Sequence, residues 1–511
     1  MKSSYYSEKW SALTTQAVDP SSMRRLSRQI AYSFLDYYLK DCYYEKGYID
    51  LLCEMTTFSD DPKLINPPAE ALFSIIVESL CDDFEELQTM TYNKVMAQVI
   101  TYCRNVPAGK ELDLTLNDFG MYSSKDLIDR INRIRINNNS LSGQKRIRKI
   151  ILLSRVTLGA DVAITSVVFQ RLNMIFPEAE FVLIGSSKLE ELYGGNPRIK
   201  IRRLAYSRKG GLLERLSSWH SALKIIQEET SSCPAEETIL MDPDSRLSQL
   251  GVLPLYPLDR YFFFDSRSDS SLNKTMSMTE LANSWLDKIL GDKNFCYPEV
   301  WIARSYVDIA THFCKMLRNK GAKRIIVANF GVGANPRKRV GRRMEEELLL
   351  TLLQEPNTLI LLDKGFGDEE LDYTNTLMNA IREQGHSVLH SSFGSGDNVS
   401  FGWGLIGIQS RIGEIAALIA KCDEFIGYDS ACQHIAAALG TPCVTIFAGS
   451  NNMRFIRRWS AYGRKSSNIV HVDTLTDPSS VEVEGIITRI MHLRRRHNQV
   501  ETDHEDTFHL P

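Results

Sequence analysis

Two series of short apolar runs, separated by glycine turns and helical stretches, constrain the fold of this chain more than any other feature. In the first series, the runs Ile150–Leu153 and Phe181–Gly185 flank a helical stretch over residues 164–176, and Thr238–Met241 adds a further run. A strand, a helix and a second strand in this order form a βαβ unit, which requires a parallel sheet with both faces covered. The pattern therefore predicts a doubly wound α/β domain over residues 146–315.

A second series of the same kind begins near residue 323 and predicts a second doubly wound domain over residues 316–493. Its expected strands are Arg324–Phe330, Thr358–Leu362, Glu424–Gly427 and Val444–Phe447. Residues 275–320 are expected to connect the two domains.

The flanks of the chain differ from these domains. Residues 1–145 are predicted to form a mainly helical domain, because apolar residues recur at spacings of three and four in Ile30–Tyr38 and Ala71–Ile76. The turn-rich segment Asn137–Gly143 is expected to be a linker. Residues 494–511 are expected to be a polar, frayed tail.

Composition excludes several classes of protein. A hydrophobic fraction of 43%, with 24% charged residues and a net charge of -3, is typical of soluble globular proteins and gives no reason to expect nucleic acid binding. The beginning of the chain lacks the apolar core of a signal peptide, and no apolar run is long enough to span a bilayer, so we expect a cytoplasmic protein. The ten cysteines are scattered without CxxC spacing, which predicts free thiols rather than disulfides or a zinc site.

A carboxylate follows the first predicted strand, at Asp161 in the turn Ser154–Val162. Ligands of open α/β sheets bind beyond the carboxyl ends of strands, so Asp161 could act there as a general base. Asp161 could equally be the N-cap of the following helix, since aspartate at that position accepts free backbone N–H groups. The residues alone leave both interpretations open.

Two further turns have the character of anion sites. Phe330–Arg339 is glycine-rich and carries an asparagine and basic residues that could hold a diphosphate, although a solvated basic turn is the alternative. In Gly427–Pro442, a strand ends in an Asp-Ser turn before a helix of small residues, and the N-terminus of such a helix attracts anions. His434 in that helix could donate to a phosphate or satisfy a structural hydrogen bond.

Together these stretches resemble glycosyltransferase family nine, the heptosyltransferases of lipopolysaccharide core assembly, over residues 148–490. The first matching block, Ile150–Ser166, is similar to the family's opening strand and Leu-Gly-Asp turn, and it continues into Ile175–Ala179. The second block, Asp429–His434 with the small-residue helix up to Pro442, is similar to the family's Asp-Ser/Thr-Gly-x-x-His signature and is the more specific of the two.

The resemblance implies an α/β fold of the GT-B type, with two tandem Rossmann-like domains facing a cleft, here with an extra N-terminal helical domain. It also implies an inverting transfer from a nucleotide-sugar donor such as ADP-heptose, with no catalytic metal and no bound cofactor. The family's functional positions correspond to Asp161 as general base, Asn335 and Lys338 at the donor diphosphate, Glu369 or its neighbour Glu370 at the donor ribose, and Asp429, Ser430 and His434 in the phosphate and sugar loop.

The chain also departs from the family pattern. Ala160 is an extra residue between Gly159 and Asp161, so we expect either a displaced carboxylate or a rebuilt turn. Ala431 stands where the family usually has glycine. Val340 stands where the family often has an aromatic residue after a Lys-Arg pair.

Other functions remain open from the residues alone. Asp242-Pro243-Asp244 could bind a divalent cation in a metal-dependent transferase, or it could be a structural turn. The chain could also be a non-catalytic nucleotide-binding scaffold, or a nucleotide-sugar epimerase of similar fold.

The acceptor is expected to be a glycan, a lipid-linked molecule or a protein. Basic clusters at Arg202–Arg203, Arg454–Arg458 and Arg494–Arg496 would allow peripheral contact with the inner face of an anionic membrane. Solvated surface charge is the alternative interpretation of these clusters.

Overall fold

The helices and strands were located in a computed structural model that describes residues 1–505, except 17, 82, 137–138, 145, 209, 268–274, 334, 396–398 and 478–480. Residues 496–505 are described as backbone only.

The N-terminal part of the chain is helical, as its apolar spacing predicts. Helix α2 begins where Asp19 accepts the backbone N–H groups of Ser21 and Ser22, and Pro20 occupies its first position. Residues 71–77 form a π-helical turn after the fourth helix. The helices of this region are α1 Ser3–Thr14, α2 Pro20–Asp41, α3 Lys46–Thr56, α4 Pro62–Glu70, α5 Glu86–Asn105, α6 Lys110–Asp118 and α7 Ser124–Ile136.

A five-stranded parallel sheet with strand order β3-β2-β1-β4-β5 forms the first lobe. Its strands are β1 Lys149–Leu153, β2 Glu180–Gly185, β3 Ile199–Arg203, β4 Thr238–Asp242 and β5 Tyr261–Phe263. The helices that follow are α8 Leu158–Ala160, α9 Ser166–Ile175, α10 Lys188–Tyr193, α11 Leu212–Thr230, α12 Met278–Leu290 and α13 Arg304–Asn319.

A seven-stranded parallel sheet with strand order β12-β11-β10-β6-β7-β9-β8 forms the second lobe. Its strands are β6 Arg324–Asn329, β7 Thr358–Asp363, β8 Val388–Ser392, β9 Gly404–Gln409, β10 Glu424–Tyr428, β11 Cys443–Phe447 and β12 Ser467–His471. Its helices are α14 Arg342–Leu353, α15 Asp368–Glu383, α16 Ile412–Ile419, α17 Ala431–Ala438, α18 Met453–Arg458 and α19 Val483–Glu505. The two parallel sheets confirm the predicted α/β class.

The helical region shares one hydrophobic core with the first sheet. Side chains alternate along a strand, so Ile151 and Leu153 of β1 face the N-terminal helices while Ile150 and Leu152 face the opposite side. Trp219 of α11 is buried in the same core as the N-terminal helices. The helical region therefore covers one face of the first sheet and is not a separately packed appendage.

A short segment of the helical region also reaches the second lobe. Phe84 is 1% exposed, lies 6.3 Å from the Trp459 ring between centroids, and has the Arg458 guanidinium 4.8 Å from its own ring centroid. Asn452 donates a hydrogen bond of 3.0 Å to Asp83. The φ angle of Phe84 is 57°, a left-handed conformation that is strained for a bulky residue.

Each of the predicted basic clusters has an arginine that is paired or buried inside the fold. Arg202 pairs with Glu228 and Glu229. Arg458 is 1% exposed, and Arg494 is 2% exposed between Glu355 and Glu424. These three arginines contribute to packing, whereas Arg203, Arg457 and Arg495 of the same clusters are exposed. Among the described residues, no helix has both the length and the apolar character of a membrane span.

Candidate functional site

The turns after β1 and β10 meet where the two lobes come together. A Cβ atom on Gly159 would lie 2.8 Å from Cδ2 of His434 and 3.3 Å from Cα of Ala431. Helix α8 and the following π-helical turn both pack against α17. Only glycine permits such a close approach, so the turn that carries the predicted base confronts the turn that carries the predicted phosphate site.

The Asp161 carboxylate is 1% exposed and already accepts three hydrogen bonds. Its Oδ2 accepts from the Ser154 hydroxyl at 2.7 Å, and its Oδ1 accepts from the Arg155 backbone N–H at 2.8 Å and the Thr165 hydroxyl at 3.0 Å. Burial raises the pKa of Asp161 to about 6, against the lowering effect of these hydrogen bonds. A carboxylate has about four lone-pair positions, so one acceptor position on Oδ2 is left for a further partner.

The extra residue in this turn coincides with a change in helical geometry. Residues Asp161–Thr165 form a π-helical turn between α8 and α9, and a π-helical turn takes up one more residue than an α-helical turn. Asp161 is not the N-cap, because Thr157 occupies that position and accepts from the Asp161 N–H at 3.0 Å. The carboxylate instead holds the turn together from inside the helical segment.

The turn after β10 provides an unused donor at a helix N-terminus. Ser430 is the N-cap of α17, yet its hydroxyl makes no cap hydrogen bond, and its Oγ is buried without a hydrogen-bond partner among the described residues. Asp429 is held on both sides, by the Lys338 ammonium at 2.5 Å and by the Gln433 side-chain amide at 2.7 Å. A helix N-terminus beside a lysine is suited to binding phosphate.

His434 lies in the same helix and is 5% exposed. Its ring stands edge-on to Trp459, with centroids 6.2 Å apart. Burial lowers the pKa of His434 to about 4, although nearby Asp429 acts in the opposite direction. The imidazole is therefore neutral at pH 7, so it can donate one N–H to a ligand but adds no positive charge.

The glycine-rich turn after β6 is fastened by Glu370. Its Oε1 accepts the backbone N–H groups of Val332 at 3.0 Å and Gly333 at 3.1 Å, and its Oε2 accepts the N–H of Phe366 at 3.2 Å. Glu369, the sequence-based choice for the ribose, is exposed beside it. The geometry thus brings Glu370, rather than Glu369, against the glycine turn.

Asn335 lies on the outside of this turn. It is exposed and caps the short helical turn Pro336–Lys338, where its Oδ1 accepts the Arg337 N–H at 3.2 Å. Its amide nitrogen remains the atom that could meet a ligand.

Sequence reasoning missed several polar residues at the strand ends. Asn329 at the end of β6 donates to Asp363 at the end of β7 at 2.6 Å, and burial raises the pKa of Asp363 to about 6. Arg155 places its guanidinium 5.3 Å from the ring centroid of Trp459 in the other lobe. Their position at the carboxyl ends of strands was the available signal.

The two carboxylates of Asp242-Pro243-Asp244 do not converge. Asp242 accepts from the Ser245 N–H at 2.6 Å and from the Tyr261 hydroxyl, whereas Asp244 faces Arg267. Over the described parts of the chain, no group of three His, Cys, Asp or Glu side chains is arranged to hold a metal ion. Asp242 therefore has the hydrogen bonds of a structural turn. Asp244 lies in a separate environment, beside Arg267.

A segment that contains the second turn is similar to a known protein family. Residues 407–483 match the model of glycosyltransferase family 9 (heptosyltransferase). This segment contains β10, α17 and the Asp429–His434 turn. The match confirms the resemblance to family nine that the sequence motifs indicate.

Several solved structures align with about two thirds of the chain. A glycosyl transferase family 9 protein from Veillonella parvula has 15% identity over 69% of this chain and 98% of its own, with a TM-score of 0.49. The E. coli ADP-heptose lps heptosyltransferase II has 13% identity over 69% and 99%, with a TM-score of 0.46. The E. coli heptosyltransferase WaaC, solved with ADP, has 12% identity over 67% and 99%, with a TM-score of 0.43. None of the curated proteins compared matches the sequence.

Proposed function

We propose that this chain, whose residues 407–483 match glycosyltransferase family nine, transfers a sugar from a nucleoside-diphosphate donor to a hydroxyl group of a glycan, lipid-linked or protein acceptor. The observation that carries the proposal is the close contact of Gly159 with His434. It sets a carboxylate turn of one lobe against an anion-binding turn of the other. Such a transfer needs a base and a leaving-group site on opposite sides of one reacting carbon.

In the proposed reaction, the donor diphosphate lies at the N-terminus of α17. The Ser430 hydroxyl and the backbone N–H groups of the helix donate to it, and Lys338 adds positive charge. Lysine has three N–H donors, so Lys338 can bind a phosphate oxygen without leaving Asp429.

The Asp161 carboxylate takes the proton of the acceptor hydroxyl through its remaining lone-pair position. The acceptor oxygen then forms a bond to the anomeric carbon while the bond from that carbon to the diphosphate oxygen breaks. The electron pair of that bond leaves with the nucleoside diphosphate. A single displacement of this kind inverts the anomeric centre and needs no metal ion in the proposed mechanism.

The proposal is tested by turnover of a panel of nucleotide sugars, with and without EDTA, and by thermal unfolding with the corresponding diphosphates. A ligand of the folded state stabilises it by about 2.7 kcal/mol at a hundred times its Kd. We expect one diphosphate to raise the melting temperature and its sugar conjugate to be consumed equally with EDTA. Stabilisation by a diphosphate with no sugar consumed would favour a non-catalytic scaffold, and conversion to an isomeric nucleotide sugar would favour an epimerase.

Replacing Lys338 with alanine is expected to weaken binding of the nucleoside diphosphate by about 10- to 100-fold, the usual effect of losing a hydrogen bond to a charged group. Isothermal titration calorimetry measures this change. Arg337→Ala is the matched control, because Arg337 is basic and exposed on the same turn. Equal losses in the two variants would mean that only the net charge of the turn matters.

The two neighbouring glutamates are expected to differ in their effect on donor binding. Glu370→Gln weakens the hold on the Val332 and Gly333 N–H groups, so we expect a rise of about tenfold in the diphosphate Kd. Glu369→Gln, on the exposed neighbour, is expected to leave the Kd within about twofold. A larger rise in the diphosphate Kd for Glu369→Gln than for Glu370→Gln would instead favour Glu369 as the ribose ligand.

A further inference from the structure

A second group of buried charged side chains lies at the carboxyl edge of the first sheet. Asp244, which follows β4, is 0% exposed, and Ser266 and Arg267, which follow β5, are each 1% exposed. Asp244 has a φ angle of 62°, a left-handed conformation that aspartate adopts more readily than most residues with a side chain. We call Asp244, Ser266 and Arg267 the β4–β5 cluster.

The β4–β5 cluster leaves one acceptor atom and one donor atom unpaired. Oδ2 of Asp244 accepts from the Ser266 hydroxyl at 2.6 Å and from Nε of Arg267 at 3.1 Å. Oδ1 of Asp244 and Nη1 of Arg267 are buried without a hydrogen-bond partner among the described residues. Buried polar atoms are nearly always paired in folded proteins, so these two atoms point to a ligand.

The chemistry of the two atoms selects the class of ligand. A hydroxyl group both donates and accepts, so a polyol can satisfy Asp244 Oδ1 and Arg267 Nη1 together. An anion would be repelled by the Asp244 carboxylate, and a cation by the Arg267 guanidinium. Vicinal hydroxyl groups of a sugar meet both requirements without adding charge.

The position of the β4–β5 cluster connects it to the proposed reaction. Arg155 donates its backbone N–H to Asp161 at 2.8 Å, and its guanidinium lies 3.6 Å from Oδ2 of Asp244. On the other side, Arg458 of the second lobe donates to the Ser266 carbonyl. The cluster is therefore linked to the turn of the proposed base and covered by the opposite lobe, so access for a ligand requires that the lobes separate.

We infer that Asp244 and Arg267 bind hydroxyl groups of the acceptor sugar, with Asp244 Oδ1 as acceptor and Arg267 Nη1 as donor. The assignment to the acceptor rests on the proposed sugar transfer. The assignment of a polyol site rests on the two unpaired atoms alone. Experiments can therefore test the polyol site and the acceptor role separately.

Binding of glucose, galactose, mannose and glycerol to the full chain tests the site directly, by saturation-transfer NMR with a nucleoside diphosphate present. We expect at least one sugar to bind the parent and its affinity to fall about 10- to 100-fold in Asp244→Asn. Asp242→Asn is the matched control, because Asp242 is also buried at the end of β4 but both its oxygens are already bonded. Arg267→Lys keeps the positive charge but removes Nη1. It serves as the test variant if Asp244→Asn does not fold.

The result that overturns the site is the absence of sugar binding to the parent, or equal loss in the Asp244 and Asp242 variants. Turnover then addresses the acceptor role. Asp244→Asn should lower transfer to the bound sugar about 10- to 100-fold while hydrolysis of the donor by water persists. If the parent binds sugar but does not turn over, the polyol site is supported and the proposed transfer is contradicted. If transfer persists at the parental rate in Asp244→Asn, only the role of Asp244 in acceptor binding is contradicted.

Discussion

Asp161→Asn is expected to lower sugar transfer by about 10²-fold or more, in keeping with the loss of a general base. Asparagine keeps an oxygen for the Arg155 N–H and the Thr165 hydroxyl, so the turn and the affinity for the nucleoside diphosphate should persist. Steady-state transfer rates, with the diphosphate Kd from calorimetry as the control, measure the effect. A variant as active as the parent would leave Asp161 with its structural hydrogen bonds only.

The pH profile gives an independent test of the same group. Because burial raises the pKa of Asp161 to about 6, the parent should lose activity as the pH falls through 6 and the carboxylate becomes protonated. The residual activity of Asp161→Asn should not show this loss of activity at acidic pH. The same raised pKa means that protonated Asp161 favours the folded state, so its contribution to stability is lost as the pH rises from about 4 through 6. Activity and this contribution to stability therefore change in opposite directions.

Arg494→Met is expected to lower the free energy of unfolding by about 3 kcal/mol, because breaking a buried ion pair leaves an uncompensated charge. Arg494 binds Glu424, which is 1% exposed, at 2.8 Å and Glu355 at 2.6 Å. Arg324 still contacts Glu424 at 2.9 Å in the variant, so we expect the lower end of the range for such losses.

Urea unfolding followed by circular dichroism measures this loss. Arg495→Met is the matched control, since Arg495 is exposed on the same helix and its replacement should change stability by less than about 0.5 kcal/mol. Similar stability of both variants and the parent would show that α19 is held by its apolar contacts instead.

The sequence predicted the central strands better than the edges of the sheets. The central strands β1, β2, β4, β6, β7, β10 and β11 are continuous apolar runs, because parallel strands are buried on both faces. The pattern missed the edge strands β3, β5, β8 and β12, and it also missed β9, which lies inside the second sheet between β7 and β8. Edge strands such as β3 and β12 are partly exposed and carry charged or polar residues, so their apolar signal is weak.

The position of the candidate site was also accessible from the sequence, whereas its side-chain geometry was not. Strand ends predict where ligands bind, and this rule singled out the turns of Asp161 and Asp429. The inward direction of the Asp161 carboxylate depends on the π-helical turn, which no spacing rule predicts. The pairing of Asp244 with Arg267 depends on the meeting of two separate strand ends.

The contact of Phe84 with Trp459 links the helical region to the second lobe. Since the N-terminal helices and the first sheet are built around one core, any separation of the two lobes would move them together. Such a movement would separate Phe84 from Trp459, and the loss of this contact would allow its left-handed backbone to relax. The helical region is therefore coupled, through Phe84, to the aromatic ring that lies beside His434.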